Sequence, residues 1–228
     1  MIIREFSASV LAAEPLRLHD QISQVIELNI QSLHLDIMDC HYVDNIALSF
    51  DTVSALVDQF PSLQCDVHLM VSSPEAAIKK LPLTKLRMVT FHPETSNHPE
   101  KLIQEIQEKC GASIAINPDE DAKHALDLIA LVDHCLIMGV TPGRCGQPFQ
   151  ENALVNLETV HSAIKTQQLT CKLGIDGGVN SASIPEIVKR KIPIDVAVMG
   201  SALFNNLNSP EKTSKLLATA QPQELLIT

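Results

Sequence analysis

The feature that most constrains the fold is a regular alternation of short apolar runs with longer segments of helical periodicity. The short runs predict strands at 3–10, 32–38, 65–70, 86–91, 112–117, 134–140, 171–176 and 194–200. The segments between them predict helices at 15–28, 51–60, 73–81, 98–110, 120–131, 152–167, 181–190 and 208–220. Because a helix carries the chain back between successive strands, the strands must run parallel.

Eight strand–helix units in 228 residues favour an α/β fold, a (β/α)8 TIM barrel, over a doubly wound sheet. Such barrels commonly have about 250 residues, whereas doubly wound sheets commonly have fewer strands. No linker divides the chain, so we expect a single barrel domain over residues 1–228. The Gln- and Thr-rich end predicts a frayed tail from about residue 221.

Charge and cysteine usage narrow the classes of function. The formal net charge is −10, from 27 acidic and 17 basic residues, and without a basic stripe this disfavours a nucleic-acid partner. Six cysteines without a C-x-x-C pair are typical of reduced thiols. No apolar run approaches the ~20 residues of a membrane helix, and the first residues lack a basic and then apolar leader. We therefore expect no membrane partner and a cytoplasmic location.

Polar side chains occupy the lumen-facing positions of three predicted strands. They are His34 and Asp36 on the second strand, Asp66 and His68 on the third, and Asp176 at the end of the seventh. Two carboxylates that converge with two imidazoles inside a barrel are costly unless a cation or hydrogen bonds compensate them. This set suits one divalent metal ion, Zn²⁺, Fe²⁺ or Mn²⁺. For either histidine taken alone, a hydrogen-bonded core residue is the commoner explanation.

Two further patterns lie at the predicted strand ends. Glycines follow strands six, seven and eight, at Gly143, Gly146, Gly177, Gly178 and Gly200, and Ser201 comes next. Their backbone N–H groups favour a phosphate site, although turn geometry also explains each glycine pair. Met38, Met70 and Met138 end strands two, three and six, either as core filler or as a lid that cannot donate a proton to a reactive intermediate.

Seven motifs in order carry a resemblance to a known family. They are Ser9, His34-Leu35-Asp36-Ile37-Met38-Asp39, Asp66-Val67-His68-Leu69-Met70-Val71, His92-Pro93-Glu94, Met138-Gly139-Val140-Thr141-Pro142-Gly143, Asp176-Gly177-Gly178 and Gly200-Ser201. Over nearly its whole length the chain resembles the ribulose-phosphate 3-epimerase family. The resemblance implies an isomerase that interconverts D-ribulose 5-phosphate and D-xylulose 5-phosphate through an enediolate, and it implies a homo-oligomer.

The resemblance also implies a role for individual residues. The metal ligands would be His34, Asp36, His68 and Asp176, and Asp36 and Asp176 would also act as the acid and base on opposite faces of the sugar. Ser9 and His68 would contact the substrate under the three methionines. The phosphate would be held at Gly143, Arg144, Cys145, Gly146, Gly177, Gly178, Gly200 and Ser201.

Departures from the family pattern lie near this site. Cys40 and Asp44 replace the usual Gly and Pro after strand two, and Arg144 and Cys145 replace an aromatic residue and a glycine in the phosphate loop. Gly139 stands where Ser is common. Arg144 is expected either to contact phosphate or to be a solvated loop residue. The alternatives are therefore a 3-epimerase of another ketose phosphate, such as allulose 6-phosphate, and a non-catalytic phosphosugar-binding paralogue.

A decarboxylase or aldolase on the same barrel is a further alternative. Such enzymes depend on a lysine at a strand end. Met38 occupies the position where the decarboxylase relatives have that lysine, and Lys172 begins strand seven, at the wrong end for a Schiff base. The sequence therefore disfavours this reaction.

Overall fold

The computed structural model describes residues 2–218, whose eight strands form one closed parallel barrel. The strands are β1 (Ile3–Ser9), β2 (Ser32–Met38), β3 (Gln64–Met70), β4 (Met88–Phe91), β5 (Gly111–Ile116), β6 (His134–Met138), β7 (Lys172–Asp176) and β8 (Ile194–Met199). Each strand pairs with the next, and β8 pairs in parallel with β1. The predicted (β/α)8 barrel is confirmed.

Nine α-helices occur within residues 2–218, one more than the sequence predicts. They are α1 (Leu18–Glu27), α2 (Phe50–Gln59), α3 (Pro74–Ile78), α4 (Pro99–Gln107), α5 (Leu126–Ile129), α6 (Asn152–Gln167), α7 (Ser183–Lys189), α8 (Ser201–Phe204) and α9 (Pro210–Ala218). The unpredicted helix, α8, is a single turn and too short to show a periodicity. The predicted tail from about residue 221 lies outside the described residues.

Local sequence accounts for where several helices begin. The hydroxyl of Ser49 accepts a hydrogen bond from the backbone N–H of Thr52 at 3.1 Å and caps α2. Pro74 and Pro99 occupy the first positions of α3 and α4, where a missing N–H costs nothing.

None of the helices in the described part of the chain combines the length and the apolar composition that a membrane crossing needs.

The two faces of the barrel strands pack in different ways. Outward aliphatic side chains, such as Leu35, Val67 and Ile175, are fully buried against the helices and form the main core. Inside the barrel, a smaller apolar cluster is restricted to β5, β6 and β8: Ala115, Leu136, Met138, Val196 and Val198. The other half of the lumen carries buried polar groups from β1 to β4. These polar groups need hydrogen-bond or ionic partners, as do the buried Ser113 and His134 on β5 and β6, which lie 3.0 Å apart.

Candidate metal centre and substrate cleft

Four metal-ligating side chains meet at the carboxyl end of the barrel. One ligand atom from each of His34, Asp36, His68 and Asp176 lies within 4.8 Å of the other three. Nε2 of His34 lies 3.3 Å from Nδ1 of His68, 3.4 Å from Oδ1 of Asp36 and 3.5 Å from Oδ2 of Asp176. The strands thus bring together the four residues that the sequence predicts as ligands.

The spacing and chemistry of this cluster fit a divalent metal ion. Four ligands about 2.1 Å from a tetrahedral ion are about 3.4 Å apart. Nδ1 of His68 lies 3.4 Å from Asp36 and 3.7 Å from Asp176, so these separations also match. Two imidazole nitrogens and two carboxylate oxygens are the donors that Zn²⁺ and other first-row ions accept. The cluster can therefore hold a metal ion.

The field of the carboxylates favours a positive charge in the cluster. Burial by itself would lower the pKa of His34, but Asp36 and Asp176 outweigh it and raise that pKa to about 9. Burial would likewise raise the pKa of Asp36, yet His34 and His68 hold it below its usual range. A group of buried charges that binds a proton this strongly also favours a metal cation in its place.

The two aspartates differ in their surroundings. Burial raises the pKa of Asp176 above its usual value, and the negative charge of Asp36 adds to the rise, while His34 and His68 oppose it. Asp36 also accepts a hydrogen bond from the hydroxyl of Ser9 at 2.9 Å. The two carboxyl groups therefore differ in acidity, with the pKa of Asp36 below and that of Asp176 above the usual value. Two carboxyl groups whose pKa values are pushed apart are suited to act as a base and an acid.

A cleft of about 110 Å³ opens directly above the cluster. Its lining includes most of the sequence-predicted site residues: Ser9, Asp36, Met38, Met70, Met138, Gly143, Arg144, Cys145, Gly146, Asp176, Gly177, Gly178, Gly200 and Ser201. His34 and His68 lie beneath the cleft, 2% and 0% exposed. The cleft lining also includes Leu11, Gln147 and Asn180, which the sequence did not single out.

Backbone geometry accounts for the glycines around the cleft. Gly177 and Gly178 have φ angles of 93° and 67°, in the left-handed region that favours glycine. A β-carbon on residue 139 would lie 2.2 Å from the carbonyl oxygen of Gly177 and 2.7 Å from the Phe149 ring. The serine that is common at this position in the family therefore does not fit this loop. By contrast, a β-carbon on Gly146 would meet only the Ser201 hydroxyl, at 4.0 Å, so the space above that loop is open.

The two unusual residues of the loop after β6 differ in their partners. The Arg144 side chain is 71% exposed, and its guanidinium lies 3.4 Å from the carboxylate of Asp44. Asn45 donates a hydrogen bond to the carbonyl oxygen of Gly143 at 2.8 Å, so the loops after β2 and β6 meet at two points. Burial raises the pKa of Cys145 to about 12, and the charges of nearby aspartates contribute, which leaves the thiol neutral. All six cysteines are free thiols, as predicted.

Sequence reasoning did not assign a role to four residues behind the cluster: Tyr42, His92, Glu94 and Asn117. Nε2 of His92 lies 2.9 Å from Nε2 of His68, and Nδ1 of His92 lies 3.5 Å from Glu94. Glu94 also accepts hydrogen bonds from Tyr42 at 2.5 Å and Asn117 at 3.0 Å. Burial lowers the pKa of His92 to about 4. The period of two along β4, from Met88 to His92, could have revealed this lumen-facing histidine.

Comparisons with known proteins agree with this geometry. A model of the ribulose-phosphate 3 epimerase family matches residues 5–204. The ribulose-phosphate 3-epimerase of Buchnera aphidicola is 33% identical over 89% of this chain and 89% of its own length, and that of Aquifex aeolicus is 30% identical over 91% and 93%. The ribulose-phosphate 3-epimerase of Escherichia coli K12 is 31% identical over 86% of this chain and 87% of its own length.

More distant solved structures share the fold. A mutant tryptophan synthase α-subunit from Pyrococcus furiosus superposes with a TM-score of 0.64 at 12% identity, over 95% of this chain and 96% of its own. A 3-hexulose-6-phosphate synthase gives a TM-score of 0.57 at 18% identity, over 96% and 98%. At these identities the likeness shows the barrel fold alone.

Proposed function

Because the chain belongs to the ribulose-phosphate 3-epimerase family and is an isomerase of that type, we propose that it interconverts D-ribulose 5-phosphate and D-xylulose 5-phosphate. The observation that carries the proposal is the convergence of two aspartates and two histidines directly beneath a cleft lined by glycine-rich loops. Epimerisation at C3 requires a proton to leave one face of the carbon and another to arrive on the opposite face. Two separate carboxyl groups can perform these two transfers.

Asp36 and Asp176 are the acid–base pair in this proposal. One carboxylate removes the proton from C3, and the carboxyl group of the other delivers a proton to the opposite face of the resulting enediolate. Their unequal surroundings support the assignment, because turnover needs one ionised and one protonated group at the start. The Ser9 hydroxyl donates to Asp36 and so orients that carboxylate towards the cleft.

His34, Asp36, His68 and Asp176 would hold one divalent metal ion, Zn²⁺, Fe²⁺ or Mn²⁺. When bound, such an ion stabilises negative charge on the substrate oxygens and makes the C3 proton more acidic. Burial of the two histidines beneath the cleft supports this arrangement, since their rings are fixed by packing before any ligand arrives.

The remaining residues of the cleft bind and shield the substrate in this proposal. The loops that contain Gly177, Gly178, Gly200 and Ser201 would bind the phosphate, with Gly143, Arg144, Cys145 and Gly146 across the cleft. Met38, Met70 and Met138 would cover the enediolate, because a thioether has no proton to donate to it. The substrate is thus a small phosphosugar.

The test is proton NMR in D₂O with metal-loaded protein and ribulose 5-phosphate or allulose 6-phosphate offered separately. We expect deuterium at C3 and formation of xylulose 5-phosphate from the first substrate. Exchange restricted to allulose 6-phosphate would replace the proposed substrate with a hexulose phosphate. If neither sugar exchanged while metal was bound, the proposal of an epimerase would be overturned in favour of a non-catalytic phosphosugar-binding protein.

A further inference from the structure

A line of side chains leads from the proposed ligand His68 away from the cleft. The imidazole of His68 is followed by that of His92, whose ring centroid lies 5.1 Å away, and then by the carboxylate of Glu94. Both histidines are 0% exposed, so no solvent reaches the nitrogens between them. The ring of Tyr42 covers His92 at 4.8 Å, and its hydroxyl donates to Glu94.

The positions of the nitrogens restrict where the protons can lie. Nδ1 of His68 faces Asp36 and Asp176, so this nitrogen must be free of a proton to act as a ligand. Its proton then lies on Nε2, which is 2.9 Å from Nε2 of His92. Two nitrogens at this distance share one proton, so Nε2 of His92 must accept. The proton of His92 consequently lies on Nδ1, the side that faces Glu94.

We infer that Glu94, acting through His92, is a positioning residue that holds His68 in the tautomer needed for metal binding. This inference rests on the proposed function, because it assumes that His68 is a ligand. Glu94 is suited to the role since an ionised carboxylate can only accept hydrogen bonds. Oε1 of Glu94 lies 3.5 Å from the buried Nδ1 of His92, and within the described residues this nitrogen has no hydrogen bond of good geometry to any group.

Tyr42 and Asn117 fix the carboxylate in this arrangement. The Tyr42 hydroxyl and the Asn117 amide both donate to Oε1 of Glu94, and the amide also donates to the hydroxyl at 2.9 Å. Tyr42 belongs to the loop after β2, which differs from the family pattern at Cys40 and Asp44. That loop therefore contributes to the support of a metal ligand as well as to the rim of the cleft. Partners of this kind commonly change metal affinity by about 10- to 100-fold.

Glu94→Gln is the decisive variant, because it keeps the shape but can reverse the proton order. The new amide donates to Nδ1 of His92 when its nitrogen takes the place of Oε1, the atom nearest to Nδ1, and the Tyr42 hydroxyl then accepts a hydrogen bond where it now donates one. His92 would then donate from Nε2, and the proton of His68 would move to Nδ1, where it blocks the ligand position. Glu120→Gln is the matched control, because it removes a neighbouring half-buried negative charge that does not contact His92.

The measurements are Zn²⁺ affinity, by competition with a chelator, and the protonated nitrogen of each histidine, by ¹⁵N NMR of the Zn²⁺-loaded protein. We expect Glu94→Gln to weaken Zn²⁺ binding by about 10- to 100-fold and to move the His92 proton to Nε2, while Glu120→Gln changes neither. His92→Phe, which keeps a ring beneath Tyr42 but offers no acceptor, should weaken binding at least as much.

The outcomes separate this inference from the proposed function. Wild-type affinity in His92→Phe, or in Glu94→Gln with the His92 proton moved to Nε2, would overturn the inference and leave the metal centre in place. An equal loss in Glu94→Gln and Glu120→Gln would also overturn it, since charge alone would then explain the effect. If the wild-type protein bound none of Zn²⁺, Fe²⁺ and Mn²⁺, the proposed metal centre would fail first and the inference would fail with it.

Discussion

The two ends of the barrel lumen hold buried acids in opposite ways. At the amino end, Asp66 is 1% exposed and receives two hydrogen bonds from the guanidinium of Arg87, which also contacts Glu5 at 2.8 Å. At the carboxyl end, Asp36 and Asp176 face two imidazoles, and the hydroxyl of Ser9 donates to Asp36. The first cluster contains its own permanent cation, whereas the second contains groups whose charge depends on protonation.

This difference distinguishes a structural ion pair from a reactive centre. An arginine is always charged and fills both oxygens of a carboxylate, so it leaves no position for a ligand. Histidines can give up their protons and bind a metal through the same nitrogens. The identity of a residue alone therefore does not show which of the two clusters it belongs to. Asp66 precedes His68 by only two positions in the sequence, yet it belongs to the structural cluster. We expect mutations at one end to affect turnover and mutations at the other to affect stability.

The largest expected effect is on turnover in Asp176→Asn. The change keeps the shape of the side chain but removes one of the two proton-transfer groups and weakens a ligand, so kcat should fall by about 10²- to 10⁴-fold. Thermal unfolding of the metal-free protein should change little, because burial already disfavours the charge of Asp176. Asp66→Asn is the matched change at the other end and should lower stability with kcat unchanged. Near-normal kcat in Asp176→Asn would remove this residue from the mechanism.

Arg87→Met should have the largest effect on stability. The substitution leaves Asp66 buried without its cation, and breaking a buried pair in this way typically costs about 3–5 kcal/mol. Urea unfolding measures the loss. Arg4→Met is the control, because Arg4 is 64% exposed in its pair with Asp195 and such surface pairs contribute about 0–1 kcal/mol. Equal effects of the two substitutions would show that the amino-end cluster is not a structural ion pair.

Removal of the metal should affect only the properties that depend on the carboxyl-end cluster, which are turnover and the stability gained from the bound ion. Chelation should abolish turnover, and Zn²⁺, Fe²⁺ or Mn²⁺ added singly should restore it if the ion suits the site. A metal at 100 times its Kd would also stabilise the fold by about 2.7 kcal/mol, visible as a higher Tm. The same addition to Asp176→Asn should raise Tm less. Full turnover in protein verified as metal-free would contradict the proposed role of the metal.

The fold could be predicted largely from the sequence because strand positions depend on local apolar runs. The predicted strand at 32–38 coincides with β2, since Leu33, Leu35 and Ile37 alternate with Ser32, His34 and Asp36 along most of its length. Short helices could not be predicted in the same way. The segment 120–131 contains only a four-residue helix, α5, after a 3-10 turn, and a helix of about one turn is too short to show a repeated side-chain pattern.

Within the candidate site, strand residues and the glycine-rich loops could be predicted, whereas contacts between separate loops could not. The period of two along β2 and β3 is sufficient to assign His34, Asp36 and His68 to the lumen. The position of Tyr42 depends instead on Asp39, whose carboxylate accepts hydrogen bonds from backbone N–H groups of Tyr42 and Ser72. Such contacts join separate loops and leave no periodic signal in the sequence. This is why the contact of Tyr42 with Glu94 becomes apparent only in the folded chain.

The smallest expected effect concerns Arg144, the one cation of the cleft rim that departs from the family pattern. If its guanidinium meets the substrate phosphate, Arg144→Ala should raise KM without changing kcat, because the contact is the same in the ground state and in the transition state. Its high exposure limits the effect to about fivefold, as expected for contacts worth about 0–1 kcal/mol. Asp44→Ala should act in the opposite direction and lower KM, since it frees Arg144 from its present partner. Added salt should reduce both effects. An unchanged KM in Arg144→Ala would instead make this residue a solvated part of the loop and leave phosphate binding to the glycine-rich loops.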